Sequence, residues 1–133
     1  MIAERTPLST RFAAVLTALA GGLAIAGSAA AQDAGAGAGV FQIFCSACHS
    51  VERSGPKKAG PTLAGVVGRR AGSVAGFNYS AAMKAYGQTW TPANLEVYLT
   101  APTKTVPGTN MTFAGVKDAT KRANLIAYLK QQK

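Results

Sequence analysis

The stretch CSACH, residues 45–49, contains both cysteines of the chain and its only histidine. Several chemistries use these residue types. A structural zinc site needs four ligands, and the stretch supplies three. A thioredoxin-like dithiol requires Cys-x-x-Cys beside a βαβ pattern, which the flanking sequence lacks. A disulfide would close a very small loop and constrain the unfolded chain weakly. Chance placement of the histidine is a fourth alternative, and covalent haem attachment is the fifth.

The spacing of the three side chains favours haem. Cys-x-x-Cys-His is the sequence signature of c-type haem attachment. Residues three and four apart share one face of a helix. Cys45 and Cys48 can therefore reach the two vinyl groups on one edge of a porphyrin, and His49 can offer a ring nitrogen to the iron. One copy of the motif predicts one haem c, covalently attached through Cys45 and Cys48.

A methionine is the candidate for the other axial position, where a thioether raises the reduction potential. Apart from Met1, the chain contains Met83 and Met111. Met83 falls in a predicted helix among alanines, which favours a role as core filler. Met111 follows PGTN, a turn sequence that can direct one side chain toward a fixed point. We therefore predict that His49 and Met111 are the metal ligands.

The helices that must position these residues are marked by their capping residues. Helical spacing in VFQIFCSACH predicts a helix that runs into the haem motif. Further helices are predicted to begin after Ser80, Thr91 and Asp118, and Gly87 is expected to end the first of them. Residues 50–75, rich in Gly and Pro, predict a long ordered loop. With no alternating strand pattern, the fold class is all-α, with four to five helices and ordered loops around one haem.

The first residues are typical of a secretory signal peptide. Arg5 and Arg11 precede the apolar run Phe12–Gly27, and Ala29 and Ala31 form an Ala-x-Ala cleavage pattern. The run is short against the roughly 20 residues needed to span a bilayer, so an uncleaved anchor is the second alternative. A mitochondrial transit peptide would be amphipathic and Arg-rich, whereas this segment is evenly apolar, so that assignment is disfavoured. The predicted organisation is a signal peptide at 1–31, a flexible leader at 32–36 and one domain at 37–133.

The chain has a formal net charge of +9. Such an excess is compatible with nucleic acid, anionic membranes or acidic proteins. Export makes nucleic acid an improbable partner, and the chain has no run of five basic residues. We expect the acidic docking surfaces of other proteins to be the partners. The predicted basic rim consists of Lys57, Lys58, Lys84, Lys104 and Lys117.

The order of these motifs resembles that of class I cytochromes c, in the branch shared by mitochondrial cytochrome c and bacterial cytochromes c2. The similarity runs from about Gly37 to Lys130. It is carried by CSACH, GPTLAGVVGRRAG, GFNYSAAMKAYGQTW, VPGTNMTFAGV and ANLIAYLK. The resemblance implies that the first and last helices cross, with Gly37 and Phe41 meeting Leu125 and Tyr128.

The resemblance also implies roles for residues around the two ligands. The carbonyl oxygen of Pro61 would accept a hydrogen bond from the second ring nitrogen of His49, which orients a ligating imidazole. Tyr98 and Thr109 would form hydrogen bonds near the sulfur of Met111 or the haem edge.

Arg69, Tyr79 and Trp90 would surround the buried propionates as hydrogen-bond donors. Trp90 and Tyr98 could instead be ordinary core aromatics. The implied cofactor-binding set is Cys45, Cys48, His49, Pro61, Arg69, Tyr79, Trp90, Tyr98, Thr109 and Met111. The sequence departs from the family at Asn110, where mitochondrial members usually have lysine, and at Met83, where Asn is common.

The resemblance implies a soluble electron carrier that is monomeric and is not an enzyme. Its donors would be a bc1-type complex or a dehydrogenase, and its acceptors an oxidase, a peroxidase or a photosynthetic reaction centre. We expect a periplasmic, bacterial protein that meets membranes only through its partners. The alternative is a five-coordinate haem protein, either a peroxidase-like enzyme or a gas sensor, in which Met111 is not bound.

Overall fold

The computed structural model describes residues 31–133, which contain five α-helices and no β-strand. This confirms the all-α fold class. The predicted signal peptide lies outside the described residues except for its last residue, Ala31. Within the described part of the chain, no helix combines the length and the apolar composition required to cross a membrane. The helices are α1 (Ala34–Phe44), α2 (Ala81–Tyr86), α3 (Pro92–Thr100), α4 (Pro102–Thr105) and α5 (Ala119–Gln131).

Polar side chains cap α2, α3 and α5 at the predicted positions. The side-chain oxygens of Ser80 and Thr91 each accept a hydrogen bond at 3.1 Å from the backbone N–H three residues later. Asp118 does the same for Lys121 at 2.9 Å. Gly87 ends α2 with a φ of +50°, a left-handed conformation that suits glycine. The caps satisfy backbone donors that the first helical turn leaves free.

The start of α1 differs from the prediction. Ala34 is already helical, although residues 32–36 were predicted to be a flexible leader. Asp33 supplies the reason, because its carboxylate accepts hydrogen bonds from Gly35 and Ala36. Its own backbone N–H donates to Asn124 Oδ1 at 2.9 Å, which ties the start of α1 to α5. A cap and a tertiary contact thus compensate for the poor helix propensity of glycine.

The short helix α4 was not predicted. Pro102 was expected only to end α3, but it also occupies the first position of α4, where its missing N–H is not needed. Pro102 is among the most deeply buried side chains. The Val106 N–H closes the helix by bonding to the Pro102 carbonyl. This turn begins the segment that leads to Met111.

Helices α1 and α5 cross at close range, as the resemblance implies. A Cβ on Gly37 would lie 2.0 Å from the carbonyl oxygen of Asn124 and 2.8 Å from Cβ of Tyr128. The rings of Phe41 and Tyr128 are 5.5 Å apart, centroid to centroid. Leu125 is fully buried in the same core. Glycine permits this backbone approach, and apolar burial stabilises it.

A partly buried ion pair joins α3 to α5. Arg122 is a buried residue, and its guanidinium lies 2.5 Å from a carboxylate oxygen of Glu96, whose side chain is 41% exposed. Arg122 also donates to the backbone carbonyls of Val116 and Lys117, at 2.7 and 3.2 Å. These bonds fix the extended segment that follows Met111 against the last helix.

Candidate haem-binding site

A cavity of about 490 Å³ lies at the centre of the domain. Its wall is formed by parts of the segments 44–49, 59–72 and 77–83, by Trp90, by the inner faces of α3 and α5, and by residues 109–113. The volume is in the range of cofactor sites. Every residue predicted to bind the cofactor lines this one cavity: Cys45, Cys48, His49, Pro61, Arg69, Tyr79, Trp90, Tyr98, Thr109 and Met111.

His49 is held in a defined orientation. Its Nδ1 is 2.8 Å from the carbonyl oxygen of Pro61. Because a carbonyl only accepts, Nδ1 carries the proton and Nε2 keeps a free lone pair. Burial lowers the pKa of His49, which favours the neutral ring that a metal needs. A Cβ on Gly60 would lie 2.3 Å from Cε1 of His49, so glycine is required beside the ring.

The two thiols lie in the turn that follows α1. The N–H groups of Cys48 and His49 both donate to the carbonyl of Cys45, at 3.1 and 2.8 Å. This helical turn places the thiols and the imidazole along one wall of the cavity. Neither thiol is in a disulfide. Burial raises the pKa of the Cys45 thiol to about 11, whereas Cys48 is exposed at the cavity mouth.

Met111 is positioned by a turn and by two hydrogen bonds. Gly108, with a φ of +87°, permits the turn that brings Thr109 N–H to the Val106 carbonyl. The N–H of Met111 donates to Thr109 Oγ1 at 3.3 Å. Tyr98 Oη donates to the Met111 sulfur at 3.7 Å. Burial raises the pKa of Tyr98 to about 12, against an opposing hydrogen bond with Thr109, so the hydroxyl remains a donor.

Arg69, Tyr79 and Trp90 lie together in the cavity wall. The Arg69 guanidinium donates to the carbonyls of Ala64 and Thr62, at 2.7 and 2.8 Å. Tyr79 Oη accepts from a backbone N–H at 3.3 Å, which leaves its own hydrogen free to donate. Trp90 is buried and packs against the rings of Tyr98 and Tyr86, at centroid distances of 4.7 and 5.5 Å.

Several lining residues were missed or underrated by sequence reasoning. Phe44 and Phe113 lie at the cavity edge with ring centroids 6.4 Å apart, and no local pattern marks them as partners. Met83 was predicted to be core filler, and it is buried, but it lines the cavity as well. Gly60 could have been noticed only as the residue before Pro61, because its steric role depends on a ring eleven residues earlier.

The residues present fit a covalently bound haem. Two thiols, an oriented imidazole and a thioether share one cavity, and leucine and aromatic side chains form much of its remaining wall. A helical domain with a Cys-x-x-Cys-His turn on such a cavity defines a c-type haem protein.

Comparison with known proteins identifies the family. The sequence model of the cytochrome c family matches residues 34–133, and the chain belongs to this family. Cytochrome c2 of Blastochloris viridis is 48% identical over 103 residues, which cover 77% of this chain and 80% of that protein. Cytochrome c of Guizotia abyssinica is 46% identical over 102 residues, covering 77% of this chain and 92% of that protein.

A third relative is longer. The c-type cytochrome cy of Rhodobacter capsulatus is 48% identical over 97 residues, which cover 73% of this chain but only 48% of that protein. The chain thus spans about half the length of this relative. Together, the family and the site establish a class I cytochrome c that carries one haem c attached through Cys45 and Cys48 and acts as an electron carrier.

Proposed function

We propose that His49 Nε2 and Met111 Sδ occupy the two axial positions of the haem iron. The single observation that carries this is the pair of oriented donors on one cavity: His49 has Nδ1 engaged by Pro61, and Met111 has its sulfur held by Tyr98. Each proposed ligand is thus oriented by a hydrogen bond to a neighbouring residue, as is usual for metal-binding side chains.

The chain's own residues account for a simple one-electron role. When bound, haem c supplies an iron centre that exchanges one electron. The His49–Pro61 bond fixes the orientation of the imidazole, and burial, which lowers the pKa of His49, keeps the ring neutral. The Tyr98 hydroxyl withdraws charge from the Met111 sulfur. Buried side chains such as Leu99 and Leu129 exclude water from the interior. With His49 and Met111 as its two protein ligands, the haem iron would have no position open for a substrate, which supports a role as a carrier rather than an enzyme.

Arg69, Tyr79 and Trp90 are proposed to donate hydrogen bonds to the propionates. All three line the cavity. Arg69 is part-buried and already spends two donors on the backbone, but a guanidinium has five N–H groups and retains others. A buried carboxylate requires such donors.

The partners are proposed to be redox proteins with acidic docking surfaces. The donor would be a bc1-type complex or a dehydrogenase, and the acceptor an oxidase, a peroxidase or a reaction centre. The formal charge of +9 supports electrostatic attraction, which chiefly raises the rate of association. We place the protein in the bacterial periplasm and the respiratory chain as a monomer, with cleavage after Ala31. Intact mass of the purified protein tests the cleavage: residues 32–133 plus one haem are expected.

Axial ligation is tested by absorption spectroscopy of the oxidised protein. Wild type is expected to show the weak sulfur-to-iron charge-transfer band, and Met111→Ala to abolish it while the haem stays attached. Met83→Leu is the matched control, because Met83 is a buried thioether on the same cavity. The band should survive in that variant. If the wild-type protein lacks the band and binds carbon monoxide readily when reduced, Met111 is not a ligand and the five-coordinate alternative is correct.

A further inference from the structure

Met111 lies in a non-helical segment that is held mainly at its two ends. We call this segment, residues 107–115, the methionine strap. It lies between the buried side chains of Val106 and Val116, with Met111 midway between them. In the part of the chain that the structure describes, the backbone hydrogen bonds of the strap run only within the strap or to the Val106 carbonyl. The position of Met111 therefore depends on how firmly the two ends are held.

The upstream end of the methionine strap is held by α4. The N–H of Val106 donates to the carbonyl of Pro102 at 2.9 Å, and Pro102 is itself deeply buried. This end is continuous with a helical turn, so local hydrogen bonding is enough to fix it.

The downstream end is held by tertiary hydrogen bonds instead. The N–H of Val116 donates to the carbonyl of Leu99 on α3 at 2.8 Å. The carbonyl of Val116 accepts a hydrogen bond from Arg122 on α5 at 2.7 Å, and the carbonyl of Lys117 accepts one from the same guanidinium at 3.2 Å. Arg122 alone thus supplies the donors for two consecutive carbonyls at this end.

Glu96 holds the guanidinium of Arg122 in the orientation that this contact requires. Arg122 Nε donates to Glu96 Oε1 at 2.7 Å, which directs another nitrogen of the guanidinium to the end of the methionine strap. In the described part of the chain, Arg122 is the one buried charged residue. Burial of a charge is costly unless it is paired and hydrogen-bonded. A planar guanidinium can serve a carboxylate and two carbonyls at once, and a lysine ammonium lacks that fixed geometry.

We propose that Arg122 is a positioning residue for axial ligation: by fixing the end of the methionine strap, it keeps the Met111 sulfur at the haem iron and limits its exchange for small-molecule ligands. The inference rests on the proposed ligation by Met111. A ligand within the chain competes through its effective concentration, which falls when the segment that carries it gains freedom. Without Arg122, the only backbone hydrogen bond left at the downstream end is that from Val116 to Leu99.

The test is the displacement of Met111 by imidazole in the oxidised holoprotein, followed by loss of the sulfur-to-iron charge-transfer band. Imidazole binds when the sulfur is away from the iron, so its apparent affinity reports the fraction of molecules in that state. Arg122→Leu is expected to bind imidazole about tenfold more tightly than wild type, because two hydrogen bonds at the end of the strap are lost. Arg122→Lys keeps the charge beside Glu96 and should show a smaller gain of about threefold.

A second pair of variants shows whether Arg122 acts through Met111. In Met111→Ala no sulfur competes with imidazole, so adding Arg122→Leu should leave the affinity unchanged. Gly37→Ala is the matched control for stability, because it strains the crossing of α1 and α5 without contacting the methionine strap. Its imidazole affinity should equal that of wild type, although its unfolding is expected to be similarly facilitated.

The outcomes separate a positioning role from a structural one. The proposal is overturned if both Arg122 variants bind imidazole like wild type, or if Gly37→Ala gains as much affinity as Arg122→Leu. It is equally overturned if Arg122→Leu still raises the affinity in the Met111→Ala background. A wild type that lacks the charge-transfer band before imidazole is added would contradict the ligation by Met111 on which the proposal rests.

Discussion

The hydroxyl of Tyr98 lies 3.7 Å from the sulfur of Met111, although the two residues come from different elements. Tyr98 is on the buried face of α3, and Met111 lies in the extended segment beyond α4. The hydroxyl remains protonated because burial raises its pKa to about 12. By donating a hydrogen bond, Tyr98 reduces the electron-donating strength of the Met111 sulfur, the proposed ligand.

Removing that hydroxyl should lower the reduction potential. In Tyr98→Phe the Met111 sulfur loses a hydrogen bond that withdraws charge, so it becomes a better donor to the oxidised iron. A bond worth about 1 kcal/mol corresponds to a decrease on the order of 40 mV for one electron. Redox titration measures the change. Tyr86→Phe, on a ring that packs against Trp90 rather than against the sulfur, is the control. A potential that rises or stays constant in Tyr98→Phe contradicts the assignment.

Gly37→Ala should destabilise the domain by about 3 kcal/mol. The new Cβ would lie 2.0 Å from the Asn124 carbonyl oxygen, which belongs to the backbone of α5 and cannot move independently of that helix. Gly39→Ala is the matched control, because a Cβ there meets nothing within 4 Å. It should stabilise the protein by about 0.5 kcal/mol through reduced freedom of the unfolded chain. Urea denaturation of the holoprotein measures both, and equal effects would contradict the tight crossing.

Arg122→Leu should be more damaging than Glu96→Gln. Loss of Arg122 leaves the Val116 carbonyl without its buried donor, and it places an apolar side chain beside the Glu96 carboxylate. The expected cost is about 3 kcal/mol. Glu96 is 41% exposed, so its neutralisation is partly compensated by solvent and costs about 1 kcal/mol. Lys121→Leu, one residue away on the exposed face, should be within about 0.5 kcal/mol of wild type. Thermal unfolding ranks the three variants.

Acidification should weaken the start of α5. Hydrogen bonds from the backbone of Lys121 lower the pKa of Asp118 below its ordinary value. Because its pKa is lower in the folded state, the ionised Asp118 carboxylate stabilises the folded protein. This stabilisation is complete above the ordinary pKa of aspartate and is lost as the pH falls through the folded-state pKa. Helix content followed by circular dichroism should thus fall below about pH 4. Asp118→Asn caps without titrating, so its curve should lack this part of the loss. Superimposable curves would exclude Asp118 as the cause.

The local elements were largely predictable. Ser80, Thr91 and Asp118 were identified as caps because capping chemistry involves only residues within one turn of the chain. The haem motif was equally readable, since Cys-x-x-Cys-His uses five consecutive residues. The leader at 32–36 was wrong in part for the opposite reason. The Asp33 carboxylate caps residues 34–36, and the backbone N–H of Asp33 is itself held by Asn124, 91 residues away, a contact that no local pattern reveals.

The convergence of the ten proposed site residues was predictable only through the family resemblance. Nothing local in the sequence connects Pro61 with His49 or Tyr98 with Met111, because each of these contacts joins segments brought together by folding. The exposure of Ile43 was not predictable either. It follows a helical apolar pattern, and an apolar residue on a helix is ordinarily buried.

The sequence by itself determined the covalent chemistry, the helical class and the positions where helices begin, because these depend on residue types and spacings a few positions long. Only the tertiary structure decided which imidazole nitrogen is free, which hydroxyl reaches the Met111 sulfur, and which apolar side chains remain at the cavity mouth. Those outcomes depend on the packing of α1 against α5 and of two loops around one cavity. Distances of 2.8 Å between His49 and Pro61, and of 3.7 Å between Tyr98 and Met111, arise from that packing.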